Sequence, residues 1–440
     1  MRFRIAIQDG IWILIGHASL LIGMLFSVKM LSESMGPSQY GEFVIGISVA
    51  QIFQTFFFGS KFDAIARFGS ITKSNEERRA YAQEVYKTLI EATGRCIGVG
   101  LILLVLVYVT KGVDCFLIVL ASIAYALTSG ISGALDGVAN ATQKRRIVAL
   151  HQGTESWVKL TLALLLTELL SRSVASAILG YALACLVSVG YLALWFFRYN
   201  NITPNFARIN FNDDRIISTY TKGFSIIGIL PLLQSYTDRW ALSAFAASSE
   251  VGVYSVAVAL GYSPVVALLN LSLQIAVPLV YARAGGTTEI SATNATLRCV
   301  NNLAAFLMIT AAILSVITVI YRVSIVEGLL GDNYRDAAKL LPIFFTAGGL
   351  YAVGESKVIF VNAVFKNKLQ LYPKIIVSLF GVASAVLLTR EFGAIGAASA
   401  VLSTSLVYAV WMSHVANIAC KSLEEERVLL ASVRTRHGKN

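Results

Sequence analysis

Residues 96–135 read CIGVGLILLVLVYVT-KGVD-CFLIVLASIAYALTSGISGAL, two apolar runs separated by four residues. The charged residues of this stretch are Lys111 and Asp114, and both lie in the short break. The first run begins at residue 92, so each run comes close to the ~20 residues with which a helix crosses a ~30 Å hydrocarbon core. The stretch therefore predicts two membrane-spanning helices joined by a tight turn.

The same pattern recurs along the whole chain. Twelve apolar runs are predicted to span the membrane, at residues 11–28, 43–60, 92–110, 115–135, 147–167, 173–197, 223–249, 251–282, 299–321, 340–365, 369–389 and 392–420. The connectors on the outer side are short, and the two sizeable cytoplasmic connectors are 61–91 and 198–222. They leave no room for an extramembrane domain, so function is expected in the spans and at their ends.

The positive charges alternate between connectors. Of the 36 Lys and Arg residues, 26 lie at the N-terminus, in every second connector with the adjoining span ends or in the C-terminal tail, 7 lie in the other connectors and 3 lie deeper inside spans. Cytoplasmic loops carry the excess of Lys and Arg in membrane proteins. The alternation therefore supports the count of twelve and predicts that both termini face the cytoplasm. The first span lacks a small-residue cleavage site and is expected to be retained.

The composition excludes several classes of protein. With 56% hydrophobic and 14% charged residues, the chain is not an ordinary soluble domain. The net charge of +11 sits at cytoplasmic span ends, which suits anionic lipid head groups and argues against nucleic acid as a partner. The five cysteines have no metal-site spacing, and no nucleotide-binding loop or nucleophile motif occurs. We expect no enzyme activity, no metal and no cofactor.

Two pairs of segments indicate an internal repeat. SQYGEFV (38–44) matches SEVGVYS (249–255) at an offset of 211, and VANATQKRR (138–146) matches FVNAVFKNK (360–368) at an offset of 222. The members of each pair occupy equivalent positions, six spans apart. Six is an even number, so the two halves share one orientation and their symmetry axis is expected to lie along the membrane normal.

This repeat predicts an all-α integral membrane protein with twelve helices in two six-helix lobes. The predicted divisions are an N-terminal lobe at 1–200, a cytoplasmic linker at 201–222, a C-terminal lobe at 223–420 and a cytoplasmic tail at 421–440. Two parallel lobes with a central cleft are typical of transporters that rock about a substrate site. A channel or a membrane scaffold is the alternative.

A helix is predicted between spans two and three. Ser74 and Glu77 have the spacing of a capping box, and Tyr81, Val85 and Leu89 follow on one apolar stripe. The sequence predicts that this helix lies along the cytoplasmic surface before the chain turns into span three.

Ionisable residues inside spans are the default functional candidates, because a charged side chain in the membrane costs free energy unless it has a partner or faces a water-filled cavity. Span five carries His151, Glu155 and Lys159 at steps of four, which places all three on one helix face. Lys159 is expected near mid-membrane. We interpret this face as lining a cavity; a Glu155–Lys159 pair that only packs helices is the alternative.

Other spans carry further candidates. Span seven has Asp238 and Arg239, which as helix neighbours point ~100° apart. We expect that they do not pair with each other and that each finds a separate partner or faces a cavity. Span ten has Glu355 and Lys357 on different faces. Lys29 closes span one on the outer side, where snorkelling to the interface is the alternative to a functional role. Span eight contains Pro264 and Pro278 and is expected to bend or to extend into the cytoplasm.

Several segments resemble one transporter family in order and spacing. They are GPSQYGEF (36–43), Gly59 followed by AIAR (64–67), TDRWALSAF (237–245), VGVYSVA (251–257), LGDNYRDAA (330–338) and FGAIGAA (392–398). Together they resemble the polysaccharide-transporter branch of the multidrug/oligosaccharidyl-lipid/polysaccharide exporter superfamily, the lipid-linked oligosaccharide flippases. The chain departs from the family pattern at Lys29, where members usually carry Arg.

The resemblance implies transport of a polyprenyl-pyrophosphate-linked sugar repeat unit across the bacterial inner membrane, with a basic central cavity for the head group. A polysaccharide polymerase and a chain-length regulator are implied as further partners. We expect the substrate-binding residues to be Lys159, Arg239, Lys29, Lys357 and Arg67. The expected ion-coupling residues are Glu155, Asp238 and Glu355, with proton, sodium or no coupling ion left open.

Three other functions are alternatives to this one. A cation-coupled multidrug exporter of the same superfamily would favour acidic cavity residues. A membrane-bound sugar polymerase or ligase would have a long outer loop with Arg and His. A lipid II flippase would have two further spans.

Overall fold

The computed structural model describes residues 2–62, 64–65, 74–142, 144–170, 173–200, 225–284, 290–364 and 366–437. The α-helices are α1 (Arg2–Gln54), α2 (Asn75–Lys111), α3 (Val113–Ala141), α4 (Arg145–Leu169), α5 (Val174–Asn200), α6 (Ser225–Phe245), α7 (Ser248–Ala257), α8 (Ser263–Ala284), α9 (Ile290–Leu330), α10 (Leu341–Ala363) and α11 (Leu371–His437). Short π-helices cover Thr55–Gly59 and Val258–Tyr262, and 3₁₀ helices cover Asp332–Lys339 and Asn367–Gln370.

The two longest helices each contain a break. Gly36 in α1 has φ 71° and Gly393 in α11 has φ 55°, a left-handed backbone that favours glycine. Within the described residues, eight helical stretches are long and apolar enough to cross a membrane, and two of them contain these breaks. Counting each broken helix as two spans gives ten. The 25-residue α4 and the 21-residue α6 complete the twelve. The prediction of twelve spans in an all-α membrane protein is confirmed.

The tight turn predicted between spans three and four consists of a single residue. Helix α2 ends at Lys111 and α3 begins at Val113, and Gly112 between them has φ 84°. Apolar side chains on α2, including Ile102 and Val109, are 72% and 76% exposed. An exposed apolar face of this kind requires a hydrocarbon environment.

The chain divides into two compact units. Unit 1 is Met1–Tyr236 with Ala247–Gly252, and unit 2 is Thr237–Ala246 with Val253–Asn440. In unit 1, α1 packs along α4, and α3 and α4 both pack on α5. In unit 2, α10 is the central helix, packed against α8, α9 and α11. Phe344 and Phe360 of α10 are fully buried.

The second sequence repeat has the same backbone geometry in both copies. At the end of α3 and at the end of α10, the chain leaves the helix through three hydrogen bonds of 2.9–3.1 Å. In the first copy, the N–H groups of Thr142, Lys144 and Ile147 donate to the carbonyl groups of Val138, Ala139 and Lys144, respectively. In the second copy, the N–H groups of Val364, Lys366 and Leu369 donate to the carbonyl groups of Phe360, Val361 and Lys366, respectively. Each bond in the second set is displaced by 222 residues, which is the offset of the sequence match.

The first repeat brings its two glycines together. A Cβ built on Gly41 would lie 2.1 Å from the Ser248 carbonyl oxygen, and one on Gly252 would lie 2.0 Å from the Pro37 carbonyl oxygen. All four residues belong to unit 1. The second half of α1 and the start of α7 therefore cross backbone to backbone, which only glycine allows.

The helix predicted along the cytoplasmic surface differs from the structure. Its capping box is present: the Ser74 hydroxyl accepts from the Glu77 N–H, and the Glu77 carboxylate accepts from the Ser74 N–H. However, α2 is one helix of 37 residues that runs on into span three. The apolar stripe of Tyr81, Val85 and Leu89 is buried in the core of unit 1, so it packs against protein. The prediction of a separate surface helix was wrong.

Span eight is interrupted, as its proline suggests. The π-helix Val258–Tyr262 ends immediately before Ser263 and Pro264. Proline has no N–H to donate to the preceding turn, and one extra residue in that turn relieves the clash of its ring with the carbonyl behind it.

Candidate functional site

A row of ionisable side chains lies between α3 and α4 of unit 1. Asp136 Oδ1 is 3.2 Å from His151 Nδ1, and His151 Nε2 is 2.9 Å from Glu155 Oε2. Glu155 Oε1 is 2.6 Å from Lys159 Nζ. The side chains are 6–19% exposed, so the row is almost completely shielded. The helix face predicted for span five is present, and the row continues to Asp136 on α3.

Uncharged groups complete the row. The Ser132 hydroxyl lies 3.0 Å from both His151 Nε2 and Glu155 Oε2, and the Cys185 thiol of α5 lies 3.6 Å from Glu155 Oε1. Lys159 Nζ lies 5.4 Å from the centre of the Tyr125 ring, which is within cation–π range. The Glu155–Lys159 pair of the alternative interpretation exists, but it is one link of a longer network.

The sequence interpretation missed Asp136. The predicted span four ends at residue 135, so this carboxylate was assigned to the connector. In the structure α3 continues to Ala141, and Asp136 also accepts a hydrogen bond of 2.8 Å from the Gln152 side chain. The available signal was a carboxylate one residue beyond an apolar run.

Unit 2 holds a second buried cluster. The Tyr254 hydroxyl donates to Asp238 Oδ2 at 2.5 Å, and the Arg239 backbone N–H donates to Asp238 Oδ1 at 2.8 Å. The Arg239 guanidinium is 3.6 Å from the same Oδ1, and its side chain is 13% exposed. The expectation that these neighbours do not pair was wrong, because the long Arg side chain bends back to the carboxylate. Asp238 also has the separate partner that was expected.

Glu355 and Lys357 point in different directions from α10, as their spacing predicts. Glu355 accepts a hydrogen bond from the Tyr408 hydroxyl and lies 3.9 Å from Lys374 Nζ, both on α11. Lys357 donates to the Asn301 side chain on α9. The two residues therefore belong to two separate contacts.

The remaining candidates are peripheral or outside the described part. Lys29 pairs with Glu33 at 3.3 Å, and both side chains are more than a third exposed. That geometry fits an interfacial ion pair. Arg67 lies outside the described residues. Among those residues, no group of three His, Cys, Asp or Glu could hold a metal ion. Asp136, His151 and Glu155 lie end to end and do not converge on one point.

A family profile described as "Polysaccharide biosynthesis protein" matches residues 6–280, more than half of the chain. The chain belongs to this family. No curated protein matches its sequence. The family assignment agrees with the resemblance seen in the sequence.

Solved structures share the fold of this polysaccharide biosynthesis protein at low sequence identity. The lipid II flippase MurJ in an inward closed conformation has a TM-score of 0.71 and 12% identity, covering 96% of this chain and 92% of that chain. The Vibrio cholerae MATE transporter VcmN in its bent form has a TM-score of 0.60 and 14% identity, covering 94% of this chain and 99% of that chain. A MOP superfamily transporter from Pyrococcus furiosus has a TM-score of 0.61 and 14% identity, covering 94% of this chain and 97% of that chain. These likenesses confirm the twelve-helix, two-lobe fold class.

Proposed function

We propose that this family member is a flippase for polyprenyl-pyrophosphate-linked oligosaccharide repeat units in the bacterial inner membrane. The family match, the multi-pass membrane fold and the cations buried in the spans support this proposal together. The pyrophosphate-sugar head is too polar to enter hydrocarbon, whereas the polyprenyl tail can stay in it. The protein therefore needs to shield only the head, and the transport step breaks and forms no covalent bond.

The observation that carries the substrate class is the placement of cations. Unit 1 has Lys159 and unit 2 has Arg239, and each is held by a carboxylate on its own helix. A pyrophosphate offers several anionic oxygens that compete with those carboxylates for the same donors. Charge-assisted hydrogen bonds of this type are worth roughly 1.5–3 kcal/mol each. We assign both residues to the head group, with Lys29, Lys357 and Arg67 as further cations for its path.

A multidrug cation exporter is the competing function. Such a protein needs carboxylates that can accept a cationic drug. Each carboxylate of the two clusters and Glu355 instead contacts a base or a hydroxyl of the protein. The partners are His151, Lys159, Arg239, Tyr254, Tyr408 and Lys374. These contacts favour an anionic substrate.

The proposal places both termini in the cytoplasm and the 3₁₀ helix Asp332–Lys339 outside. Single cysteines replacing Glu76 and Asn333 in a cysteine-free background test this orientation. An impermeant thiol reagent added to intact cells is expected to label position 333 and to spare position 76. The opposite pattern would reverse the orientation.

In cells, deletion of the gene is expected to remove surface polysaccharide and to leave lipid-linked repeat units in the cytoplasmic leaflet, because synthesis continues without translocation. Leaflet-specific labelling of the lipid-linked sugar measures this. Loss of a polymerase is the matched control, since single repeat units then reach the outer leaflet. Repeat units in the outer leaflet of the deletion strain would contradict the proposed function, and so would normal polymer with increased sensitivity to cationic drugs.

A further inference from the structure

The row in unit 1 contains an imidazole between two carboxylates. His151 Nδ1 faces Asp136 at 3.2 Å, and Nε2 faces Glu155 at 2.9 Å and the Ser132 hydroxyl at 3.0 Å. A neutral imidazole donates from one nitrogen only, so its other nitrogen would place a lone pair against a carboxylate oxygen. A doubly protonated ring places a positive charge beside both carboxylates, at 3.2 Å from Asp136 Oδ1 without a hydrogen bond and at 2.9 Å from Glu155 Oε2.

The charges of the row balance only with that extra proton. Counted as formal charges, the carboxylates of Asp136 and Glu155 contribute −2 and the ammonium of Lys159 contributes +1. With a cationic His151 the row is neutral, and with a neutral His151 it is left with one uncompensated negative charge. An uncompensated charge in a buried site is strongly destabilising, more so than a paired one.

Helices α3 and α5 add no further charge to this balance. Helix α3 contributes Asp136, Ser132 and Tyr125, and α5 contributes Cys185 and Tyr181, which are neutral in their ordinary states. Helix α1 contacts α4 through Ser19, whose hydroxyl bonds the Gly153 carbonyl, and its titratable group on this stretch is His17. On α4 itself, the neighbouring Gln152 binds Asp136.

We propose that this row is a binding site for one proton, and that the position of the proton determines whether Lys159 is held by Glu155 or is available to the substrate anion. In one state the proton is on His151, and an ionised Glu155 holds Lys159 at 2.6 Å. In the other state the proton has crossed the 2.9 Å from His151 Nε2 to Glu155 Oε2. The N–H bond breaks, an O–H bond forms, and the lone pair stays on nitrogen.

This transfer leaves the total charge of the row unchanged. It replaces two ionised groups by two neutral ones, and it removes the counterion of Lys159. An anionic phosphate at Lys159 then supplies the missing negative charge, so substrate binding and proton transfer favour each other. The identity of that anion rests on the proposed function, whereas the proton site itself does not.

Nitrogen-15 NMR of the histidine rings tests the site directly, because the chain has four histidines. Full-length protein in lipid nanodiscs is labelled on histidine, and the His151 signal is assigned by its loss in His151→Gln. Without substrate at pH 7, we expect His151 to be doubly protonated. Asp136→Asn and Glu155→Gln should each convert it to a singly protonated ring. Asp114→Asn and Glu168→Gln, exposed carboxylates on the same two helices, should leave it unchanged.

Inorganic pyrophosphate then tests the switch. Added to the wild-type protein, it is expected to lower the doubly protonated fraction of His151, and in Lys159→Met it should have no effect. A singly protonated His151 in the untreated wild type would overturn the proton site. A doubly protonated fraction of His151 that does not change when pyrophosphate is added would overturn the switch. The proposed function would survive that second result if reconstituted vesicles still moved the lipid-linked sugar, so the two failures can be told apart.

Transport gives a second readout of the same proposal. Flipping by the wild type is expected to depend on pH across the range in which the row loses its proton. Glu155→Gln keeps a neutral hydrogen-bonding group beside Lys159 and is expected to flip with a flat pH profile. A wild-type pH profile in Glu155→Gln would overturn the role of that carboxylate as the proton's second site.

Discussion

Gly41→Ala and Gly252→Ala are each expected to abolish transport and to lower the thermal stability of the purified protein. The added methyl group would lie about 2 Å from a backbone carbonyl oxygen of the crossing segment, at Ser248 for Gly41 and at Pro37 for Gly252. No rotamer can relieve a clash with backbone, so the two segments must move apart. Overpacking of this kind typically costs about 1–3 kcal/mol, and backbone contact places these sites at the upper end.

Gly94→Ala and Gly98→Ala on α2 are matched controls, because a Cβ at either site meets no atom within 4 Å. Removing glycine from a helix interior stabilises it by up to about 1 kcal/mol. We therefore expect the controls to unfold at the wild-type temperature or above it, and to transport normally. Wild-type abundance, unfolding temperature and transport in Gly41→Ala would contradict the backbone crossing.

The second large effect concerns Lys159, and a pair of variants separates its two possible roles. Lys159→Met alone leaves Glu155 with one cationic partner fewer in a buried site, so we expect a less stable protein without transport. Glu155→Gln combined with Lys159→Met removes both charges of the pair. We expect this double variant to recover wild-type abundance, because no uncompensated charge remains.

Transport by the double variant decides the interpretation. If Lys159 binds the head group, its loss removes a charge-assisted bond, and flipping stays at least about ten-fold below wild type despite normal abundance. If the pair only packs helices, the double variant flips normally. Arg239→Met in unit 2 is expected to cause a comparable loss, and the kinetics of lipid flipping at matched protein levels measure all three variants. Normal flipping by the double variant would remove Lys159 from the substrate site.

The sequence predicted the span count, the tight turn between spans three and four and the repeat because these depend on local patterns. Apolar length sets a span, and the residue matches at offsets of 211 and 222 are visible in one dimension. The capping box at Ser74 was predictable for the same reason. The burial of the apolar stripe that begins at Tyr81 was not predictable, because the sequence pattern of an apolar stripe is the same whether the stripe faces lipid or a protein core.

The candidate site was predicted only in part. Steps of four residues placed His151, Glu155 and Lys159 on one face, since that depends on helix geometry alone. Asp136 joins them from another helix, and its distance in sequence gave no sign of the contact. The pairing of Asp238 with Arg239 depends on the path of a flexible side chain, which helix periodicity does not determine.

Reconstitution measures the central claim most directly. Purified protein is placed in liposomes with a polyprenyl-pyrophosphate-linked oligosaccharide in both leaflets, and a membrane-impermeant glycosidase is added outside. With the wild-type protein, we predict that the enzyme digests the lipid-linked sugar of both leaflets. Liposomes with the Lys159→Met/Arg239→Met variant are expected to resemble protein-free liposomes, in which the inner-leaflet sugar stays intact. An intact inner-leaflet pool in wild-type liposomes would contradict the account.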